Sequence, residues 1–294
     1  MLMLAAALVA SLQAAQGSAL DTTFAVSKGT RLEASVFSGS VTVKAWNRDQ
    51  IRIVSDVPAK RGGRDHDYRG GLDLRQGAGS VRLGVHPGGD YESAIITVTV
   101  PAATPVELTG VETSFTVEGI AGPVEISTVE GDVTAAGGSG EVSASSIEGD
   151  VVVSGARGRL DASSVDGDVR IRDVATGPVN VSTVDGAIDL ENVNVTRVEA
   201  NTVDGDVYFS GQLQAGGDYR LQSHDGNITA AVGQNPSAQV SVSTYDGDFS
   251  SDMPVTVSGS VKGGREFSFT LGGGAARLSL ESFDGTIRLL RTGR

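Results

Sequence analysis

The sequence predicts an all-β solenoid, a single-stranded right-handed β-helix of about 18–21-residue coils with an irregular N-terminal cap. Three observations carry this. A turn built on Asp-Gly or Glu-Gly, as in "SSVDGDVRI" (residues 163–171), recurs down the chain. The recurrences keep a nearly constant spacing. The residues flanking each turn alternate apolar and polar in shared columns. Composition agrees: the 294 residues include 40 glycines, against an ordinary share of about 7%, only 8 prolines and only 5% aromatic residues. Hydrophobic residues still reach 39%, chiefly aliphatic β-formers, so the chain has a core to bury.

The turns align on Gly131, Gly149, Gly167, Gly186, Gly205, Gly226, Gly247 and Gly285, with spacings of 18, 18, 19, 19, 21, 21 and 38. The last is twice 19, which predicts a degenerate unit near "VKGGREFSF"; Thr113 extends the series upstream. A period near 20 is the mark of stacked repeats. Seven residues before the turn glycine stand Val106, Val124, Val142, Leu160, Val179, Val198, Tyr219, Val240 and Leu278, and two residues on a second apolar column follows. Beyond the glycine, Phe115, Val133, Val151, Val169, Ile188, Val207, Ile228, Phe249 and Ile287 share a third. Alternation on both sides of the turn points one face of each strand inward. Two-residue hairpins stacked as a meander or sandwich are the competing architecture. Constant register favours the β-helix, where like columns stack about 4.8 Å apart. In it, the Ser/Thr column three residues before the glycine would bond hydroxyl to hydroxyl along the stack.

Taken in order, residues 1–19 read as a signal peptide, a short apolar run followed by small residues, although no Lys or Arg precedes it. Residues 20–110 read as the cap and first irregular turns of the same domain, with Gly39 in a turn slot, an exposed polar break at 58–71 and a strong strand at 94–101. Residues 111–294 read as the regular solenoid. A terminal coil needs cover, because an open stack end is an unpaired strand edge.

The tandem [ST]-[VI]-[DE]-G-D-[VI] units behind a signal peptide resemble the bacterial putative-adhesin family, a domain of unknown function with β-strand repeats, similar to autotransporter adhesin head domains. The resemblance covers residues 30–290. It implies an exported β-helical protein of the cell envelope, in the periplasm, at the cell surface or outside the cell, and it brings no catalytic residues.

With no cysteine, disulfides, thiolate metal sites and cysteine nucleophiles are excluded. A net charge of −13 argues against nucleic acid as a partner, and no segment is long and apolar enough for a transmembrane helix. Acids flank the turn glycines before (Glu130, Glu148, Asp166, Asp185, Asp204, Asp225, Asp246, Asp284) and after (Asp132, Asp150, Asp168, Asp206, Asp248). Paired carboxylates are the tools of glycoside hydrolysis, but an active site is one exceptional place, and a residue repeated in every coil answers a need of every coil. From Val124 to Ser210 stand 16 acids against 5 Arg and no Lys, so the acidic rows are expected to bind divalent cations weakly. His66 sits in the polar break. Trp46 reads as cap packing, and "LGGGAARL" (271–278) as a turn between coils. His224, Tyr245 and Phe283 enlarge the column two before the glycine, otherwise Val or Ile, and form the candidate ligand patch. No catalytic residue, cofactor or metal site is predicted. The expected function is a non-enzymatic envelope scaffold or adhesin-like binding module, with cell-surface glycans or envelope proteins as partners. The alternatives are a β-helical carbohydrate-active lyase or hydrolase, and a filament assembled by end-to-end self-association.

Overall fold

In this computed structural model, residues 19–58, 71–86, 93–255 and 265–292 are described. The expected signal peptide up to residue 18 and the 59–70 segment with His66 lie outside them. The described residues contain strands and turns and no helix.

Each regular coil has two strands. Val124–Ser127, Ser139–Ser145, Arg157–Ser163, Pro178–Ser182, Arg197–Asp204 and Asp218–Asp225 stack in parallel as one wall. Val133–Gly137, Val151–Ser154, Val169–Arg172, Ile188–Glu191, Val207–Gly211 and Ile228–Val232 form the second. Register follows the sequence columns: Val124 pairs with Val142, Val142 with Leu160, Leu160 with Val179, Val179 with Val198 and Val198 with Tyr219. The strands joined by an Asp-Gly turn pair with neighbouring coils, so the turn is a corner between two walls and not a hairpin.

The inward columns are the core. Val142, Leu160, Val179, Val151, Val169 and Val207 are all essentially inaccessible to solvent. Within one coil the inward columns often combine a large residue on one wall with a small one on the other: Ile126 and Ala135, Ala162 and Ile171, Ala200 and Phe209, Leu221 and Ala230, all buried. Tyr219 is the exception in its column. The longer connection Gln212–Gly217 leaves room for the ring, and its hydroxyl donates to Val195 O (2.6 Å) while accepting from Gln214 N (2.7 Å). Burial therefore raises the Tyr219 phenol above its ordinary pKa, against the Gln214 N–H, which lowers it.

At both ends the stacking order departs from the chain order. The last coil is inserted: Tyr219 pairs with Leu278, and Leu278 on its other side with Val240. The strand Arg265–Leu271 then lies antiparallel on Ala238–Asp246, with Val240 opposite Phe269. The 38-residue spacing is thus no skipped parallel unit. It holds an antiparallel strand that covers the terminal coil's exposed edge, with Phe249 packed edge-on to Phe267 and tilted against Phe269.

At the other end, Arg31–Trp46 runs parallel to Val106–Ile120 with Gly39 opposite Thr113, so in-register stacking reaches back to residue 31. Its second edge carries Ser80–Val85 and Ala94–Pro101. Antiparallel strands close this end: Gln50–Ser55 on Ala94–Pro101, Leu20–Ala25 on Gln50–Ser55, and Leu72–Gln76 on Ser80–Val85. Arg52 clamps Asp21 through two hydrogen bonds (3.0 and 2.7 Å), and those bonds hold the Asp21 carboxyl below its ordinary pKa. Trp46 is half-buried at the turn into this layer, its indole donating to Gln50 O with Arg48 over the ring.

Candidate functional site

The corner explains its own sequence. The buried hydroxyl of Ser164 donates to Gly149 O of the preceding coil (2.9 Å), and Ser146, Thr183, Thr202, Ser223 and Ser282 repeat the bond to Gly131, Gly167, Gly186, Gly205 and Gly226. The hydroxyls serve glycine carbonyls and not each other, because each carbonyl turns toward the hydroxyl of the coil above. This close approach requires glycine: a Cβ on Gly167 would stand 2.3 Å from Gly149 O, at a φ of 155°. After the glycine, Asp132, Asp150, Asp168 and Asp206 each accept the backbone N–H of the next coil, at 3.0, 2.9, 2.9 and 2.7 Å. These acids are corner brackets.

The acids before the glycine do something else. Their backbones bridge in parallel from Glu112 through Glu130, Glu148, Asp166 and Asp185 to Asp204. Each N–H donates to the residue below in the neighbouring column, as Asp166 N does to Ile147 O (2.8 Å). The carboxylates of Glu130, Glu148, Asp166, Asp185 and Asp204 are exposed and make no hydrogen bond or ion pair with the described residues.

Beside this row runs an apolar one. Because the Ser/Thr column is buried, the next residue must point outward. Val111, Val129, Ile147, Val165, Val184 and Val203 are 38 to 51% exposed. Phe37 continues the row below Val111. His224, Phe283 and Tyr245 continue it above Val203, brought together in that order by the inserted coil. Phe283 is sandwiched, stacked on His224 and on Tyr245 with centroids 4.8 Å apart in both pairs and ring planes within 12°. Tyr245 closes the row, 73% exposed. A groove of about 380 Å³ beside the rings is lined by Asn201, Gln222, Ser243 and Glu281.

The sequence columns contained this ridge, since a Val or Ile between a buried hydroxyl and a turn acid can only face solvent. On the outer face of the second wall, Arg170 reaches Asp150 at 2.8 Å and also bonds Asp168. Burial opposes ionisation of Asp150, but the Arg170 bond and charge and the Asp168 N–H outweigh it and hold the carboxyl low. Asp189, in register beside Arg170, departs from the pattern. Burial, then repulsion from Glu191, raises its pKa against the pull of Arg172 and Arg170, and its Oδ1 is buried without a hydrogen bond. His86 is exposed, and Gly272 and Gly274 form a turn between the strands ending at Leu271 and beginning at Ala276. Among the described residues, no group of three His, Asp or Glu could hold a metal ion.

The model of the Toastrack DUF4097 family matches residues 30–290. The chain belongs to the Toastrack DUF4097 family. This domain of unknown function is the one the turn motif resembled. No curated protein matches this Toastrack chain. Solved structures similar to the chain include the following. A putative adhesin from Bacteroides fragilis has 11% identity and a TM-score of 0.38, covering 98% of both chains. A putative cell adhesion protein from Clostridium sporogenes has 8% identity and a TM-score of 0.26, covering 97% of this chain and 99% of the other. A putative lipid binding protein from Parabacteroides distasonis has 12% identity and a TM-score of 0.28, covering 93% and 96%. Likenesses at this level say nothing of ligand or activity. No helix among the described residues is long and apolar enough to cross a membrane.

Proposed function

We propose that this Toastrack protein is an exported, non-enzymatic binding module of the cell envelope, a right-handed solenoid of about 18–21-residue coils whose long edge meets its partner. The observation that carries the reading is the exposed apolar ridge beside unpaired carboxylates, repeated coil after coil where the corner itself needs neither. Apolar rows of this length on a soluble surface mark interaction sites. The registers Val142 to Leu160, Leu160 to Val179 and Val198 to Tyr219 support the coil length. The apolar run before residue 19, as a signal peptide, supports export, and residues 20–110 serve as the cap.

Envelope proteins fit the ridge better than glycans, since the row is mostly Val and Ile and, with both faces of Phe283 taken, the ring stack offers a sugar little beyond the outer face of Tyr245. The acidic rows should still bind divalent cations weakly, tested by a melt with calcium against sodium at equal ionic strength. The antiparallel covers at both ends speak against end-to-end filaments. The carbohydrate-active alternative would rest on Asp189, whose pKa departs from the acid pattern. The test is an array of glycans and envelope proteins probed with the protein from residue 19 onward. Selective binding supports the module; turnover of a polysaccharide by wild type that is lost in Asp189→Asn would replace it with the enzyme reading.

A further inference from the structure

We infer that the edge from Phe37 to Tyr245 is a docking strip for a basic amphipathic α-helix, which deepens the binding-module reading and rests on it. The strip has two parallel rows. One is apolar (Val111 through Val203, then the ring stack), and the adjacent one is acidic (Glu130 through Asp204), with no cation of this protein set against those carboxylates among the described residues. Such a strip is complementary to a segment that is apolar on one stripe and cationic on its flank. It spans about 40 Å at the strand spacing.

The spacing selects the conformation of the occupant. Two rungs of the stack advance about 9.6 Å. A helical heptad advances about 10.5 Å and places two apolar residues, a and d, on one stripe in that distance. One apolar contact per rung is therefore kept with a drift near 1 Å per heptad. An extended strand presents same-face residues about 6.8 Å apart and falls out of step within one rung. The valines supply shallow apolar contact, the free carboxylates meet lysine or arginine along one flank, and the exposed face of Tyr245 receives the end of the helix.

The test uses a synthetic helix of about three heptads, with Leu at a and d and Lys on one flank, titrated by fluorescence anisotropy. A scrambled peptide of identical composition and a Glu-for-Lys version are controls. Two variants of the protein separate the rows: Ile147→Ser/Val165→Ser/Val184→Ser removes apolar surface, and Glu148→Gln/Asp166→Asn/Asp185→Asn removes charge. The inference expects binding of the patterned peptide at least tenfold tighter than the scrambled one, and at least tenfold weakening in each variant. Loss in the charge variant alone, or equal binding of the scrambled peptide, would overturn it as general attraction of cations. Should either variant lose its fold by circular dichroism, a photoreactive version of the peptide decides on the wild type. Cross-links along residues 111–245 of the ridge column support the strip, and cross-links elsewhere overturn it. If the array identifies a partner that both variants bind normally, the module stands and the strip falls. If the array is also empty, both fall.

Discussion

Replacing Gly167 with alanine isolates the contact on which the corner depends. The new Cβ would stand 2.3 Å from Gly149 O and 3.1 Å from Ser164 Oγ, in a backbone with φ of 155°. Holding alanine in such a conformation costs about 1–3 kcal/mol. Forcing the coils apart to relieve the overlap costs about 1–3 kcal/mol more, and the Ser164 bond to Gly149 O it dislodges is worth about 1 kcal/mol. The expected destabilisation is therefore about 3–7 kcal/mol, or a fall in Tm on the order of 10 °C for a domain of this size. Thermal melts by far-UV circular dichroism would compare Gly167→Ala with Ser164→Ala and Val165→Ala. Ser164→Ala loses only its hydrogen bond, about 1 kcal/mol, and Val165, 45% exposed, loses less than about 1 kcal/mol. The order Gly167 worst, Ser164 intermediate, Val165 mildest is the signature of the carbonyl ladder. A Gly167→Ala melt matching that of Val165→Ala would refute it.

Three further outcomes follow from the same geometry. Val181→Asp buries an unpaired carboxylate at a cost of several kcal/mol, whereas Thr229→Asp, outward-facing and in register beside Arg288, should stay within about 0.5 kcal/mol of wild type in urea unfolding. Asp206→Ala removes the acceptor of the Asn227 N–H and should cost about 1 kcal/mol, while Asp206→Asn keeps an acceptor oxygen and should cost clearly less by the same assay. Asp189 is raised above its ordinary 3.8 in the fold, so its charged form is a penalty at neutral pH that is shed as pH falls through the folded pKa. Asp189→Asn should therefore melt higher than wild type at pH 7, with the gap closing toward pH 4.

The stacked fold was legible because every coil solves the same problem with the same residue types. The inward columns, the corner glycines and the place of Gly39 follow from period and alternation alone. The candidate rings were legible as a column, since His224, Tyr245 and Phe283 break a run of Val and Ile. Their order in space was not. Gly247 and Gly285 are separated by twice the period, and repeat spacing cannot tell a degenerate parallel coil from an antiparallel flap at Arg265–Leu271 followed by insertion of the last coil. Both solutions satisfy the strand edge, and the choice between them is made by long-range pairing. The partners of the hydroxyl column were equally hidden, because serine and threonine suit a hydroxyl ladder and a carbonyl ladder alike.

The order of the stack and the ridge built on it can be read from engineered disulfides, since the chain has no cysteine of its own. Cysteine pairs His224→Cys/Phe283→Cys and Phe283→Cys/Tyr245→Cys lie on adjacent rungs about 4.8 Å apart, within bridging range. The pair His224→Cys/Tyr245→Cys is two rungs apart, about 9.6 Å, beyond the reach of a disulfide. Mild oxidation of the folded protein followed by mass spectrometry should show bridges in the first two pairs and none in the third. A bridge between 224 and 245, with none to 283, would mean that the coils stack in chain order and that the inserted coil is wrong.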